Sequence, residues 1–495
     1  MAFWDMREFV EALDEHGELC RIKEEVDWNL EFGAIARRCC EIGAPAPFAE
    51  KVKGYPGGYR LFGVPFGGSI VDGKKMPYRR LAIGLGLDPD IHHNDLVEEY
   101  VKRKNNPIRP VVVSGGPSKE NIRVGKDVNL FEFPAPMVHW GDGGRYLCTW
   151  HMVITQDPDT GWVNWGMYRA MIHTKNKMGG MMIPIQHGPQ MYYNKYEARG
   201  NSMPFAIAIG CEPAQIFAAT AFLPAGVREA DLAGGLRGSP VELVKCETND
   251  LYVPATAEIV LEGEVRPYER WDEGPFGEYT GYRASPRMAR PVYRVNCITF
   301  RDNPIVSMSC MGMPVDDSGS QQSILIAGEL MDIFRTKGYP VRMVYQPPFA
   351  TNATIVISTK VPYANFAHVL ASEAWAAKAG SMLHYVIVVE DDVDPTDMEQ
   401  VMHAITFKCH PYRGIRKYEA VPGTPLDPYL NYHERQFGLG AGVLLDCTWP
   451  KDWDPEISLT LAVTFETLYP KPIQEKVLAN WSSVYGFAEK RKRRQ

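Results

Sequence analysis

Between residues 121 and 315 strand-like segments follow one another with few interruptions, and this limits the architectures open to the chain. The segments 149–155, 162–173, 179–185, 204–210, 256–265 and 292–300 are short, rich in β-branched and aromatic residues, and separated by turn signals such as Asp157-Pro158-Asp159-Thr160-Gly161. Helix candidates interrupt them at 212–221 and 227–236. A β-rich barrel or sandwich with inserted helices is the expected result. The flanks read differently. Residues 1–20 place Phe3, Met6, Phe9, Val10 and Leu13 on one side of an amphipathic helix. Helices are expected at 30–42 and 94–105, with strand and turn at 54–72. Pro107, Pro110, Gly115, Gly116 and Pro117 mark a boundary near 107–120. From about 320 helices (320–337, 364–379, 396–407) alternate with strands (341–346, 353–359, 384–390), the pattern of an α/β domain with a mainly parallel sheet. A last helix is expected at 471–489, ending in the basic tail Lys490–Arg494, which reads as a solvated terminus. The predicted division is 1–115, 116–318 and 319–495.

Several function classes are excluded early. The formal net charge is -7, with no basic excess of the kind a nucleic-acid binder carries. The longest apolar neighbourhood, 205–225, contains Glu212, Pro213 and Gln215, so no membrane span is expected. Residues 1–20 carry acidic side chains and do not read as a signal peptide. The ten cysteines are dispersed without a CxxC pair and read as free, mostly buried thiols of a cytoplasmic, reducing compartment. No phosphate-binding glycine loop of the Walker or Rossmann type is present.

Two segments concentrate reactive groups. Residues 270–283 hold three carboxylates, three glycines and four aromatics in an irregular stretch. Gly274, Pro275 and Gly277 impose a tight path, so that Glu273 and Glu278 can reach one site from two directions. Aromatic neighbours would desolvate them and raise a carboxyl pKa toward the range useful for proton transfer. An acidic surface loop is the other reading of this spacing. In the second segment, 164–169, strand alternation puts Asn164, Gly166 and Tyr168 on one face and Trp165, Met167 and Arg169 on the other. Arg169 among apolar neighbours calls for an anionic partner; an ordinary strand ending in a surface arginine is the alternative. His187, before Gly188-Pro189, reads more often as a structural histidine than as a ligand. The methionines between 176 and 203 fill core gaps or wall a cofactor. Asp391, Asp392 and Asp394 follow a strand and read as a capping turn rather than a metal cluster.

Taken together these strings resemble a known family. Glu273-Gly-Pro-Phe-Gly-Glu278-Tyr-Thr-Gly-Tyr282 resembles the active-site loop of the UbiD-type decarboxylases, reversible (de)carboxylases that use prenylated flavin mononucleotide. Asn164-x-Gly-x-Tyr-Arg169 resembles their flavin and metal strand, and 229–266 is similar to the family throughout. The likeness runs from Met6-Arg7-Glu8-Phe9 to Asp446-Cys-Thr-Trp-Pro450.

The resemblance implies an α/β (α+β) fold with a central split β-barrel flavin domain. An N-terminal α/β region precedes it, and a C-terminal α/β domain with a linker helix and an oligomerisation helix follows. It implies a divalent ion, Mn²⁺ or Mg²⁺, held by Asn164, His187 and Glu229 together with the flavin phosphate, such oxygen and imidazole donors suiting a hard cation. Glu242, in a strand-like Val-Glu-Leu-Val, competes for the third position. A potassium ion is implied near Trp162 and Glu229. Met167, Tyr168, Arg169, Met181, Met182, Ile183 and Gln186 are expected along the isoalloxazine and ribityl phosphate. The implied catalytic trio is Glu273, Arg169 and Glu278, with Arg169 and Glu273 paired and Glu278 the proton donor. The implied activity is reversible, non-oxidative loss of CO₂ from an aromatic or heteroaromatic acid through a covalent substrate–cofactor adduct, the cofactor serving as electron sink. A flavin prenyltransferase would supply the cofactor, and the assembly would be a homodimer or homohexamer. Alternatives are the polyprenyl-hydroxybenzoate decarboxylase of ubiquinone synthesis and a subunit of a multi-subunit aryl carboxylase.

Two departures narrow the substrate. Residues 438–442 read Gly-Leu-Gly-Ala-Gly, without the lysine that some members carry there. Thr424-Pro425 precede Leu426-Asp427-Pro428, where a catechol-acid branch has a histidine. Pocket residues are expected within 311–326, 408–415 and 424–437.

Overall fold

The computed structural model describes residues 3–283, 285–313, 316–458 and 461–487; the basic tail 490–494 lies outside them. The first helix, Met6–Glu15, is capped by the Asp5 carboxylate, which accepts from Glu8 N, and buries Met6, Phe9, Val10 and Leu13. It covers a four-stranded sheet ordered Leu19–Val26, Ala46–Val52, Arg60–Gly63 and Ile305–Met308. The last strand comes from the far end of the central segment and pairs in parallel with Arg60–Gly63.

The middle of the chain forms a nine-stranded sheet in which every pairing is antiparallel. Its spine is the long hairpin Ile259–Glu273 and Met288–Phe300. Register shifts after Glu262 and Val265 curl this hairpin, as bulges do, into a half-barrel. Strand Met203–Ile209 is buried on both faces. Phe205, Ile207 and Ile209 fill the barrel interior, while Ala206 and Ala208 face the packing of helix Pro213–Ala219. That two-sided burial is why 204–210 shows no polar alternation. Helices Pro213–Ala219 and Glu229–Arg237 fall where sequence periodicity places them.

Residues 162–173 were expected as one strand. The structure breaks it into Val163–Gly166 and Ala170–Thr174, which pair with different neighbours. The strict alternation expected for 164–169 therefore fails at residues 167–169. The backbone there leaves the sheet and turns Met167, Tyr168 and Arg169 toward one cavity.

The C-terminal sheet is mixed rather than mainly parallel. Thr354–Thr359, Tyr385–Glu390 and Leu439–Cys447 run parallel, and the edge strands Val341–Tyr345 and Ile415–Pro422 pair antiparallel. Helix Asp317–Thr336 starts three residues before the expected 320 because Asp316 caps it, accepting from Ser318 N and Gly319 N. The helix expected at 364–379 ends at Ala376, and a separate turn, Lys378–Gly380, follows. Of the acids read as a capping turn, Asp394 accepts from Thr396 N, while Asp392 accepts from Lys408 Nζ; the helix Met398–Phe407 itself is capped by Asp397. Among the described residues no helix is long and apolar enough to cross a membrane. All ten cysteines are free, and eight are buried.

Candidate active site

The loop that joins the long hairpin carries the site. Glu273 ends one arm, and its carboxylate, 1% exposed, accepts from Arg169 Nε (2.9 Å), Arg169 Nη2 (3.0 Å) and the Tyr146 hydroxyl (2.7 Å). The third Arg169 nitrogen, Nη1, donates to Glu278 Oε1. One guanidinium thus joins both carboxylates, with the Phe276 ring 5.3 Å away. Burial pushes the Glu278 carboxyl above its usual range, Arg169 opposes this, and the Glu273 charge adds to it. Burial alone would lower the Arg169 pKa, but Glu278 and Glu273 outweigh it and keep the guanidinium protonated.

The loop path is held from outside. Asp142 Oδ1 accepts from Gly277 N (3.2 Å), and its Oδ2 accepts from His139 N (2.9 Å) and lies 3.0 Å from His139 Nδ1. His139 Nε2 is 3.1 Å from the Met311 carbonyl. A Cβ on Gly277 would sit 2.7 Å from the His139 ring, so only glycine fits there without displacing the loop.

A cleft with about 1280 Å³ of empty space, its mouth included, opens beside Glu278. Asn164, His187 and Glu229 all line it. Glu229, at the start of its helix, accepts from Asn164 Nδ2 (2.8 Å) and Trp165 N (2.9 Å). The Tyr168 hydroxyl donates to Asn164 Oδ1 (3.3 Å) and accepts from Gly188 N (3.3 Å), which ties the His187 turn to the Asn164 strand. Lys378 Nζ lies 3.1 and 3.2 Å from the two ring nitrogens of His187 and donates to the Leu223 carbonyl. Burial raises Glu229 to about 7 and lowers Lys378 to about 8. Burial, helped by Lys378, lowers His187 to about 4. Trp162 packs edge-on to the His187 ring at 5.0 Å and donates from Nε1 to the Val227 carbonyl.

Comparison with known proteins gives the same answer along the whole chain. Three segments match the family described as 3-octaprenyl-4-hydroxybenzoate carboxy-lyase: its N-terminal domain at residues 10–100, its Rift-related domain at 110–314 and its C-terminal domain at 322–447. The pyrrole-2-carboxylic acid decarboxylase of Pseudomonas aeruginosa is 34% identical over 494 residues, 98% of this chain and 99% of that protein. The chain belongs to the UbiD family. Among solved structures, the vanillic acid decarboxylase of Sedimentibacter hydroxybenzoicus in its closed form superposes with a TM-score of 0.87 at 31% identity, covering 98% of this chain and 100% of that one. An evolved dimeric form of the UbiD-class enzyme HmfF from Pelotomaculum thermopropionicum, in complex with prFMN, gives 0.77 at 27% identity and covers 91% and 96%. The N-terminal region, half-barrel and C-terminal domain are thus the three-part UbiD architecture.

Most residues that the family resemblance singles out line one cleft: Asn164, Met167, Tyr168, Arg169, Met181, Ile183, Gln186, His187, Glu229 and Glu278. Two stand apart. Met182 is 1% exposed and packs inside the half-barrel core, because strand Lys177–Gly180 ends just before it and Met181 takes the cleft-facing position. Glu273 lies behind Arg169, away from the cleft, and so positions the guanidinium. Glu242 begins a strand, Glu242–Lys245, and is not on the cleft. Of the expected pocket segments, 311–326 and 424–437 contribute Met311, Ser318, Gln321, Gln322, Thr424 and Leu426, while 408–415 contributes nothing. Sequence reading passed over Lys378, Asn352, Ser381 and the 219–222 turn. Only Lys378 left a signal: a single lysine in the apolar run Trp375-Ala-Ala-Lys378-Ala.

Proposed function

We propose that this chain is a prenylated-FMN-dependent decarboxylase of aromatic or heteroaromatic carboxylic acids. The observation that carries the reading is Arg169, joined at once to the buried Glu273 and to the cleft-facing Glu278. Loss of CO₂ from an sp² carbon leaves electron density that no side chain can accept; prenylated FMN, when bound, supplies that sink.

The chain's own groups account for the rest. Arg169 pairs the substrate carboxylate or steadies negative charge near it, with Glu273 and Tyr146 holding its orientation. Glu278, whose proton affinity burial raises, delivers its proton in its acid form to the carbon that CO₂ leaves. On the cofactor side, Met167, Tyr168, Met181, Ile183 and Gln186 would face the flavin.

The corner of Asn164, His187 and Glu229 fits a hard cation by its donors: an amide oxygen, an imidazole and a carboxylate. The chain already directs a cation, the Lys378 ammonium, onto His187 there. These three residues would hold Mn²⁺ or Mg²⁺, neutralising a cofactor phosphate in a buried place, and Lys378 would pair with the same phosphate. Potassium would share Glu229. A flavin prenyltransferase is the supplier of the cofactor in this reading, and the free thiols suit the cytoplasm.

The exposed apolar side chains of the C-terminal arm, residues 455–487, support self-association into a homodimer or homohexamer. Ile457, Leu461, Val463, Leu468, Tyr469, Leu478, Val484 and Phe487 are all exposed, and exposed apolar side chains gathered in one segment mark interaction surfaces. The test is direct. Chain co-produced with a flavin prenyltransferase should release CO₂ from an aromatic acid without partner chains. Glu278→Gln should keep its flavin yet lose turnover by about 10²- to 10⁴-fold, together with H/D exchange at the product carbon. Activity that needs additional chains, or full turnover in Glu278→Gln, refutes the proposal.

A further inference from the structure

Decarboxylation of an acid anion, ArCOO⁻ + H⁺ → ArH + CO₂, consumes one proton in every turnover. Glu278 gives that proton to the carbon and is left as a carboxylate, so a proton must come to it from solvent before the next cycle. Glu278 is only 4% exposed, and Arg169 occupies its Oε1. A path for the incoming proton is therefore needed.

A second cavity, with about 630 Å³ of empty space including its mouth, adjoins the cleft at the catalytic loop. Tyr279, Asn352, Met382 and Thr424 line both spaces and form the partition between them. Tyr279 follows Glu278 directly in the chain, and its hydroxyl lies against the Asn352 and Thr424 side chains. The second cavity also holds His384 and Asp427. His384 Nε2 lies 3.3 Å from Asp427 Oδ2, and the same oxygen accepts from Thr424 N (2.9 Å). The Asp427 side chain is buried, whereas that of His384 is partly open to solvent. The exposed Phe349 and Tyr429 belong to the same lining, so the cavity reaches the protein surface.

A hydroxyl passes a proton by taking one on a lone pair and releasing its own; a thioether such as Met382 has no proton to release. The partition thus carries two groups able to relay a proton, Tyr279 and Thr424. On its solvent side stands an imidazole, the side chain suited to shuttling protons near neutral pH, with a carboxylate to steady its charged form. A proton on this path reaches Glu278 without crossing the space that the reacting acid occupies.

We propose that His384, steadied by Asp427, takes protons from solvent and passes them by way of the Thr424 and Tyr279 hydroxyls to the Glu278 carboxylate. This rests on the decarboxylase reading and adds to it the means by which the spent acid is recharged. His384 returns to the neutral imidazole when the proton has been delivered, and no other group changes its charge over the cycle.

The test is steady-state CO₂ release by holoenzyme on the aromatic acid that the wild type turns over fastest, with flavin content and KM measured for each variant. His384→Phe keeps a ring beside Tyr429 and removes the proton carrier. Its kcat should fall about tenfold or more, with KM within about twofold of wild type. Added imidazole, a diffusible proton carrier, should restore that kcat saturably and leave the wild type unchanged. Rescue separates proton supply from packing, because the phenyl ring already fills the space. Tyr279→Phe breaks the path beyond the point where imidazole acts, so its kcat should fall and stay low with imidazole present. The proposal is overturned if His384→Phe keeps kcat within about twofold, if imidazole does not reverse its loss, or if Tyr279→Phe either keeps wild-type kcat or is rescued as His384→Phe is. The two readings fail distinguishably. Wild-type holoenzyme that releases CO₂ from no aromatic acid removes the decarboxylase reading and this path with it. Wild-type CO₂ release with His384→Phe at full rate removes the path alone.

Discussion

Glu273→Gln is the perturbation that tests the carboxylate–guanidinium arrangement most sharply. Glu273 does not line the cleft, so its replacement touches neither substrate nor cofactor. It accepts three hydrogen bonds, two from Arg169 and one from Tyr146. The amide keeps the shape and one acceptor but turns an NH₂ toward a donor and removes the charge. A hydrogen bond to a charged group contributes about 1.5–3 kcal/mol. If holding Arg169 depends on it, kcat falls by roughly 10- to 150-fold, at about 1.4 kcal/mol per tenfold. The pH profile gives the second, sharper readout. Glu273 is one of the charges that raise the Glu278 pKa, and without it Arg169 has only Glu278 as an anionic partner. Both changes favour the ionised form of Glu278. The step needs Glu278 protonated, so activity is lost as pH rises through its pKa, and in Glu273→Gln that basic limb must move to lower pH. The assay is kcat for CO₂ release across pH, with flavin content checked at each point. A basic limb that stays in place or moves upward, or kcat within threefold of wild type (about 0.7 kcal/mol), refutes the coupling.

Further outcomes follow from other contacts. Gly277→Ala places a Cβ 2.7 Å from a His139 ring that Asp142 and the Met311 carbonyl hold in place, so the loop must shift. Turnover should drop at least about tenfold with flavin content unchanged, and wild-type kcat would show that the loop has slack. Lys378→Met removes the ammonium beside His187; the flavin-to-protein absorbance ratio after gel filtration should fall, and full retention would dissociate Lys378 from the cofactor. A chain ending at residue 454 lacks the exposed apolar arm and should run as a monomer in light scattering, whereas an unchanged assembly would place the interface elsewhere.

Much of the site was legible in the chain itself. Glycine and proline around Glu273 and Glu278 announce a constrained loop, and the two carboxylates do converge on one partner, Arg169. The capping Asp394 and Asp397 and the helix of Met6, Phe9, Val10 and Leu13 follow from local rules alone. Three things were out of reach. The strand at 162–173 breaks because its two halves pair with different neighbours, a nonlocal choice that periodicity does not record. Met181 and Met182 look equivalent, yet where the strand ends decides that one faces the cleft and the other the core. Lys378 joins His187 across nearly two hundred residues of chain.

Sequence alone therefore determined which elements form, their amphipathic faces, the constrained loop and, through motif likeness, the family. These rest on interactions within a few residues, or on strings long enough to be distinctive. Only the tertiary structure decided the hierarchy among the polar groups. It put Glu273 behind Arg169 and Glu278 in front, and brought Lys378 to His187. The physical reason is that burial and pairing, which set the charge and proton affinity of such groups, depend on neighbours distant in the chain.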